Sequence, residues 1–304
     1  MFNSPLPILC VSGFARTVAM PDSKVRDLNG DELDIDALFF ETFQNKVRRA
    51  SRYVRFSNLA ALQCLNQIDR NRLEGKRIGL FLGTGLGNTP DAIKFTEEIL
   101  QHHQTVVSPS TFINTVSNAG LFYAARALGV ECITNVISQE TVSFEAALLT
   151  AAFKIEYDEI DFALVGGSDV IEAPYDAAAE RIYSKEVEPK TLGEGAAFLL
   201  MAKKSFAETK PLGYLEDVTL GISQEKVFHE SHQPGLLLGY GVDQKEISSD
   251  TTYAYRAISG DFSTGSAFGL CAFLKDKRAH GSRLHHLNHH QDGAYGGFKL
   301  TRLG

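Results

Sequence analysis

The sequence predicts an α/β fold in which strands and helices alternate around a central sheet. Residues 77–82 and 161–165 are short apolar runs that end at glycines, as buried strands do where a turn follows. Residues 141–155 form a predicted helix that is apolar nearly all round, and such a helix is buried rather than amphipathic. This alternation is typical of layered α/β proteins.

The first third of the chain supplies two strands and two helical regions. A short buried strand is predicted at 8–11, ending at Gly13, and residues 34–68 look mainly helical. The strand at 77–82 leads into a glycine-rich turn, and a helix is predicted at 90–102. A cluster of arginines in the helical region is interpreted as a solvated helix face. The cluster comprises Arg48, Arg49, Arg52 and Arg55.

The glycine-rich turn invites a nucleotide-binding interpretation, which we do not favour. Gly83, Gly85 and Gly87 follow a GxGxG spacing rather than the full GxGxxG fingerprint, and no acidic ribose-binding residue is evident. A tight turn after a buried strand explains the glycines as well. We therefore expect no nucleotide and no other cofactor.

The alternation continues after this turn. A helix is predicted up to Leu128 with Gly129 as its C-cap, and strands are predicted at 133–137 and 195–201. A small-residue helix is predicted at 263–273.

The chain divides into two unequal halves. Two strands are predicted around the turn at 292–293, and a composition shift falls at 203–211. We expect an N-terminal half of residues 1–205 and a shortened C-terminal half of residues 206–304.

Composition narrows the classes of partner and compartment. The net charge of −7 argues against nucleic acid and anionic membranes as partners, since both attract basic surfaces. No apolar stretch reaches the roughly 20 residues that span a bilayer. The four cysteines form no CxxC pair, so we expect neither a metal site nor disulfides but reduced thiols in a cytoplasmic protein.

Four segments of the sequence resemble the β-ketoacyl synthase family and occur in that family's order. The resemblance is close over residues 75–202 and thin at both ends. The segments are SPSTF at 108–112 with Asn114 and SNA at 117–119, DFALVGGSD at 161–169, LGEGAAF at 192–198, and GAYGGF at 293–298.

The resemblance implies a thiolase-like, five-layer αβαβα architecture made of two related halves. It also implies dimerisation through the strand next to the nucleophile helix, and substrates carried on an acyl carrier protein. The glycines of the matched segments are expected in structural turns. They are Gly166, Gly167, Gly193, Gly195, Gly296 and Gly297.

Condensation by this family needs a thiolate at the N-terminus of a buried helix, where the helix dipole lowers the thiol pKa. Counting back from the strand at 161 by the family's spacing places Thr141 at the cysteine position. A slip of one or two residues places Glu140 or Gln139 there. A threonine hydroxyl needs a strong adjacent base to attack a thioester, and the sequence shows none beside it.

The family's other catalytic groups are also missing. Asp261 stands where the second histidine is expected, and the first histidine has no match. His229 and His232 lie in a polar stretch and are interpreted as exposed loop residues. Cys132 is nine residues before Thr141 and is interpreted as a core residue.

These substitutions resemble a non-catalytic ketosynthase-like subunit of the chain-length-factor type, closest in look to those of aryl-polyene pathways. The resemblance implies a heterodimer with an active ketosynthase in fatty-acid or polyketide (polyene) biosynthesis. The alternative is a divergent acyltransferase or condensing enzyme that uses Ser138, Thr141, Ser143 or Cys132.

The family's interface segment matches residues 111–116, and its side chains are expected to face the partner's acyl tunnel or the interface. Phe112 is the bulky side chain expected to set tunnel depth. The other expected tunnel or interface residues are Asn114, Thr115 and Asn118.

The tail contains four histidines that could bind zinc if they lay on a helix. We expect a strand there, which alternates their directions, and interpret them as a surface cluster. They are His285, His286, His289 and His290.

Overall fold

A computed structural model describes most of the chain. The described residues are 2, 4–18, 24–44, 50–101, 109–129, 131–172, 192–207, 210–222, 236–238, 255–276, 283–289 and 293–303.

The described strands join in one hydrogen-bonded path, in the order β5–β4–β6–β7–β1–β8–β11–β10–β9, with β2 and β3 attached to β1. The strands are β1 (Leu6–Thr17), β2 (Val25–Asp27), β3 (Glu32–Leu33), β4 (Ile78–Gly83), β5 (Cys132–Ile137), β6 (Phe162–Asp169), β7 (Gly193–Ala202), β8 (Gly213–Ile222), β9 (Leu236–Leu238), β10 (Arg283–His289) and β11 (Ala294–Arg302).

Eight α-helices occur in the described residues. They are α1 (Ile35–Thr42), α2 (Arg52–Leu65), α3 (Thr89–Gln101), α4 (Pro109–Asn114), α5 (Ala119–Leu128), α6 (Ser143–Glu156), α7 (Arg256–Ser259) and α8 (Gly265–Lys275). The mixed α/β fold predicted from the sequence is therefore confirmed.

The two parts of the sheet repeat one arrangement. β4 and β6 are parallel, and β7 is antiparallel to β6 and β1. β9 and β10 are likewise parallel, and β11 is antiparallel to β10 and β8. The parts meet where β1 pairs with β8 over three residues, Leu6 to Ile8. The predicted boundary falls in the connection between β7 and β8, and the division into halves stays a prediction.

The layers follow from the alternation of side chains along the strands. On β7, Phe198 and Leu200 pack in the core under α2 and α5, whereas Leu199 and Met201 pack in the core that contains α6 and α8. Helix α6 contacts β4 and β6 on one side and β8 and β11 on the other. It is therefore sandwiched between the two parts of the sheet, and the number of five layers stays a prediction.

The expectation that six glycines form turns was wrong, because all six lie within strands β6, β7 and β11. They permit close packing instead. A Cβ added at Gly193 would lie 1.9 Å from the carbonyl oxygen of Ser259, and one at Gly166 would lie 2.4 Å from the Phe198 ring. The six are Gly166, Gly167, Gly193, Gly195, Gly296 and Gly297.

The described arginines of the predicted basic cluster are not a solvated face. Arg52 pairs with the fully buried carboxylate of Glu194 at 2.9 Å, and Arg16 pairs with the same carboxylate at 2.6 Å. Arg55 pairs with Asp36 at 2.6 Å. These pairs join the start of α2 to β7 and α1. Arg48 and Arg49 lie outside the described residues.

Within the part of the chain that the structure describes, none of the helices combines the length and the apolar character that a membrane crossing requires.

Candidate functional site

The turn between β5 and α6 is the position at which the resemblance places a nucleophile. Glu140 has a left-handed backbone with a φ of 49°, a conformation that L-residues adopt only under constraint. The hydroxyl of Ser143 supplies the constraint, because it accepts from the N–H of Gln139 at 2.8 Å and donates to the carbonyl of Glu140 at 2.6 Å. A short 3₁₀ turn over residues 140–142 then leads into α6. The helix therefore begins two residues later than the sequence predicted.

The GxGxG turn after β4 packs against this helix start. A Cβ at Gly83 would lie 2.5 Å from the carbonyl oxygen of Ser143, and one at Gly85 would lie 2.4 Å from the side chain of Ser263. Gly87 has a φ of 62°. These contacts explain the glycines as a turn that approaches its neighbours closely.

Asp169, at the end of β6, holds this turn in place. Its Oδ1 accepts from the hydroxyl of Thr84 and from the N–H groups of Gly85 and Leu86, each at 2.9 Å. Its Oδ2 accepts from Thr264, just before α8. Burial raises the pKa of the Asp169 carboxyl, whereas these hydrogen bonds lower it. One buried carboxylate thus joins three segments around the helix start.

Thr141 is buried, and its main-chain carbonyl accepts a hydrogen bond from the side-chain amide of Asn288 on β10. Its hydroxyl has no hydrogen-bond partner among the described residues. The second part of the sheet therefore reaches the turn at which a nucleophile would stand.

A buried glutamate and a buried histidine lie one helical turn further along. Glu145 on α6 and His286 on β10 are fully buried, with Oε1 and Nδ1 3.5 Å apart. Burial raises the pKa of Glu145 to about 7, while the nearby polar side chains of Ser266 and Asn288 act to lower it. Burial, and then the charge of His285, lowers the pKa of His286 to about 3.

The tail histidines correct one expectation and confirm another. The predicted strand is β10, but His285 and His286 are buried in it rather than forming a surface cluster. The His286 ring stacks on Phe298, with centroids 4.5 Å apart. Two signals in the sequence could have indicated the pair: the glutamate within an otherwise apolar helix and the alternation of the strand. His289 has no described side chain, and His290 lies outside the described residues.

The contacts of Asp261 hold the chain in place. Its carboxylate forms an ion pair with Arg256 at 2.5 Å, and the main-chain carbonyl of Asp261 accepts a hydrogen bond from the N–H of Gly193. His229 and His232, the nearest histidines to the family's first position, lie outside the described residues.

None of the four cysteines stands at the turn before α6. Cys10 and Cys64 are buried with their sulfurs 3.7 Å apart, and Cys271 is buried on α8. Cys132 is half-buried at the first position of β5, so its interpretation as a core residue was only partly right. In the described part of the chain, no group of three or more His, Cys, Asp or Glu side chains could hold a metal ion.

The predicted interface segment lies on α4 and the turn that follows it. The ring of Phe112 is 58% exposed and lies 5.5 Å from the ring of Phe95 on α3. The hydroxyl of Thr115 donates a hydrogen bond to the carbonyl of Phe112. The main-chain carbonyl of Asn114 accepts one from the side-chain amide of Asn88. Asn118 is exposed at the N-cap of α5 without a side-chain capping bond.

Of the ten exposed large hydrophobic side chains among the described residues, six lie between residues 100 and 133, on helices α3 to α5, the turn after α4 and the edge strand β5. We call this set of side chains the α4–β5 strip. Its members are Leu100, Phe112, Ile113, Val116, Phe122 and Ile133.

A repeated strand order around a shared central helix, with a constrained turn at the start of that helix, defines an α/β protein of the thiolase-like class. The family model for the N-terminal domain of beta-ketoacyl synthases matches residues 15–184, which is more than half of the chain. The chain belongs to the beta-ketoacyl synthase family.

Solved structures of the family superpose on the chain along its length. A type II polyketide synthase acyl carrier protein in complex with its ketosynthase bound to the hexaketide gives a TM-score of 0.76 at 14% identity, covering 100% of both chains. A beta-ketoacyl synthase from Burkholderia phymatum STM815 gives 0.74 at 12% identity, again covering 100% of both. The ishigamide ketosynthase/chain length factor gives 0.71 at 15% identity, covering 98% of this chain and 100% of the other.

At such low sequence identity, these superpositions show a shared fold and nothing more. A search of curated protein sequences gave no match.

Proposed function

We propose that this chain is a non-catalytic ketosynthase-like subunit of the chain-length-factor type, which pairs with an active β-ketoacyl-acyl-carrier-protein synthase. One observation carries the proposal: the constrained turn before α6 contains Glu140 and Thr141 and no cysteine. A family member without a thiolate there lacks the group that accepts the acyl chain in condensation.

The α4–β5 strip supports pairing with another chain. β5 is an edge strand whose outer hydrogen-bonding groups are unpaired within the described sheet, and such edges readily add another strand. The side chain of Ile133 on this strand is 43% exposed, and more than half of the Phe112 ring in the same strip is also exposed. An apolar edge of this kind is typical of surfaces that a partner covers. We propose the active ketosynthase as that partner, and an acyl carrier protein as a partner of the assembled complex.

The pathway class follows from the relatives. One similar structure is a ketosynthase/chain length factor and another contains a polyketide synthase acyl carrier protein. We propose a role in fatty-acid or polyketide biosynthesis, of the aryl-polyene type. We also propose a cytoplasmic location, in which the four free cysteines would stay reduced.

A second candidate is a divergent acyltransferase or condensing enzyme. The buried hydroxyl of Thr141, which has no hydrogen-bond partner among the described residues, favours it, because such a group costs about 1–3 kcal/mol and is often kept for function. Against it, Ser143 already uses its hydroxyl to hold the turn, and the thiol pKa of Cys132 is raised by burial.

The test is co-expression with an active ketosynthase from the same genome. We expect a heterodimer on size-exclusion chromatography with light scattering, burying more than about 2,000 Å². Condensation of malonyl-carrier substrates should need both chains. Replacing the partner's catalytic cysteine by alanine should abolish it, and Thr141→Ala in this chain should leave it unchanged.

Separate elution of the two chains would contradict the pairing. A covalent acyl group on Thr141, Ser138, Ser143 or Cys132, found by intact-protein mass spectrometry after incubation of this chain with acyl thioesters, would favour the enzyme instead.

A further inference from the structure

Most of the orphaned polar atoms in the described core belong to one cluster. Of ten buried side-chain nitrogen and oxygen atoms without a hydrogen-bond partner among the described residues, seven lie on five residues of this cluster. A buried polar atom left unsatisfied costs roughly 1–3 kcal/mol, so their concentration indicates a built site rather than scattered defects. The five residues are Thr141, Glu145, Ser266, His286 and Asn288.

The two ionisable members of this cluster face each other in a setting that opposes charge. The atoms of Glu145 and His286 are 3.5 Å apart, longer than the roughly 2.7–2.9 Å of a typical charge-assisted hydrogen bond. Both side chains are fully buried, and removing two charges from water costs several kcal/mol per ion. The neighbouring side chains of Ser266 and Asn288 are neutral.

Other titratable groups near the pair do not offset that cost. Tyr255 lies within electrostatic range of Glu145, and burial raises its own pKa, so its hydroxyl stays neutral. His285, next along β10, disfavours a second positive charge on His286. Within the described residues neither lysine nor arginine forms an ion pair with Glu145 or His286. The Phe298 ring covers one face of the imidazole.

We propose that Glu145 and His286 form an uncharged acid–base pair, a proton-binding site in which the carboxylic acid keeps its proton and directs it as a hydrogen-bond donor towards the Nδ1 lone pair of the neutral imidazole. The site joins α6 of the N-terminal part to β10 of the C-terminal part, directly behind the turn that contains Thr141. The bound proton is the ligand, and it is exchangeable near neutral pH.

In the proposed pair, folding transfers a proton from the imidazolium of His286 to the carboxylate of Glu145. Between about pH 4.5 and 6.5 an unfolded chain contains a carboxylate and an imidazolium, whereas the folded pair contains a carboxylic acid and a neutral imidazole. Glu145, whose pKa is raised to about 7, contributes stability that is lost as pH rises towards that value. His286, whose pKa is lowered to about 3, contributes stability that is lost as pH falls. The two dependences cancel between these limits.

Spectroscopy of the wild-type chain tests the proposal directly. Infrared spectra at pH 6 should contain the carbonyl stretch of a protonated carboxylic acid, which disappears as the pH is raised past about 8. The variant Glu145→Gln should lack this band, and the variant Glu41→Gln, at an exposed glutamate, should retain it. The NMR signals of His286 should be those of a neutral imidazole at about pH 5.

Stability gives a second readout. In Glu145→Gln the unfolding constant should fall about tenfold per unit as pH rises from about 4.5 to 6.5, relative to wild type. In His286→Gln it should rise by the same factor. Absence of the carboxylic-acid band together with an imidazolium signal from His286 in the wild-type chain at about pH 5–6 would show an ion pair and overturn the proposal, even if both variants fail to fold.

Discussion

The carboxylate of Asp169 accepts two hydrogen bonds from Thr264, one from its main-chain N–H at 3.1 Å and one from its hydroxyl at 2.7 Å. Because the other oxygen of the same carboxylate holds the glycine turn after β4, the end of β6 fixes both that turn and the segment before α8. Buried carboxylates with this many donors act as rigid joints, since breaking any bond leaves a buried group unsatisfied.

Asp169→Ala should therefore destabilise the fold severely. The substitution leaves five donors, three of them buried, without their acceptor, and we expect the free energy of unfolding to fall by at least about 3 kcal/mol. Urea unfolding followed by circular dichroism measures it. Asp169→Asn keeps one acceptor oxygen and should lose less. Equal stability of the alanine variant and wild type would contradict this assignment.

The glycines of the strands give a second prediction, about packing. Gly193→Ala would place a Cβ 1.9 Å from the carbonyl of Ser259, so we expect a loss of several kcal/mol or an insoluble protein. Gly265→Ala is the matched control, because its Cβ would meet nothing closer than 3.5 Å at the start of α8. The control should keep its melting temperature or gain slightly through helix propensity. If both variants melt alike, close approach is not what requires glycine at 193.

Local sequence patterns predict many of the strands and helices. Apolar runs, C-cap chemistry and small-residue patterns predict the strand at 78–83, the helix that ends at Leu128 before its C-cap Gly129, and the helix at 265–275. The sequence predicts turns at the matched glycines, because it shows a glycine but not what approaches it. Gly296 in β11, for example, packs against the side chain of Glu145, a residue far away in the sequence that would lie 3.0 Å from a Cβ added at this glycine.

The candidate site was less accessible to sequence reasoning. Thr141 was located by counting from the β6 strand, and the structure places it in the turn before α6. The partner of Glu145 could not be found in this way, because His286 is 141 positions away and joins it only when β10 packs beside α6. Non-local contacts of this kind leave only weak signals, such as one glutamate in an apolar helix.

Helix α6 gives a third prediction. Ala147 is fully buried between the two parts of the sheet, so Ala147→Asp introduces an unpaired carboxylate there. We expect a loss of several kcal/mol or a strongly raised pKa of the new carboxyl. Tyr157→Asp, just after the helix at a side chain that is 72% exposed, should change stability by less than about 1 kcal/mol. Thermal melts of both variants check this, and a soluble Ala147→Asp with an unchanged melting temperature would mean that α6 is not central.

The edge strand gives a fourth prediction, about assembly. Ile133→Lys puts a charge on β5 in the α4–β5 strip, and charged residues on edge strands oppose pairing. We expect the heterodimer with the ketosynthase to weaken at least about tenfold in dissociation constant, measured by sedimentation, because a buried unpaired charge costs more than about 1.4 kcal/mol. Ile222→Lys, at the 84% exposed end of β8, is the control and should bind as wild type. Equal weakening by both would place the interface elsewhere.

The last prediction concerns chain length. Phe112 lies on α4 with its ring more than half exposed, and the ring of Phe95 packs against it. An aromatic ring is bulky and has few rotamers, so in the proposed heterodimer it can limit the depth of the partner's acyl tunnel by exclusion. Phe112→Ala should leave the complex assembled, because one truncated side chain removes a small part of a large interface.

The products of the Phe112→Ala complex should become longer or more widely distributed, as measured by mass spectrometry of chains released from the carrier protein. Ile113→Ala, at the neighbouring exposed residue, is the matched control and should leave the distribution unchanged. An intact complex with wild-type products in both variants would remove the chain-length role from Phe112 while leaving the pairing untouched. Loss of the complex in Phe112→Ala alone would make the ring an anchor of the interface instead.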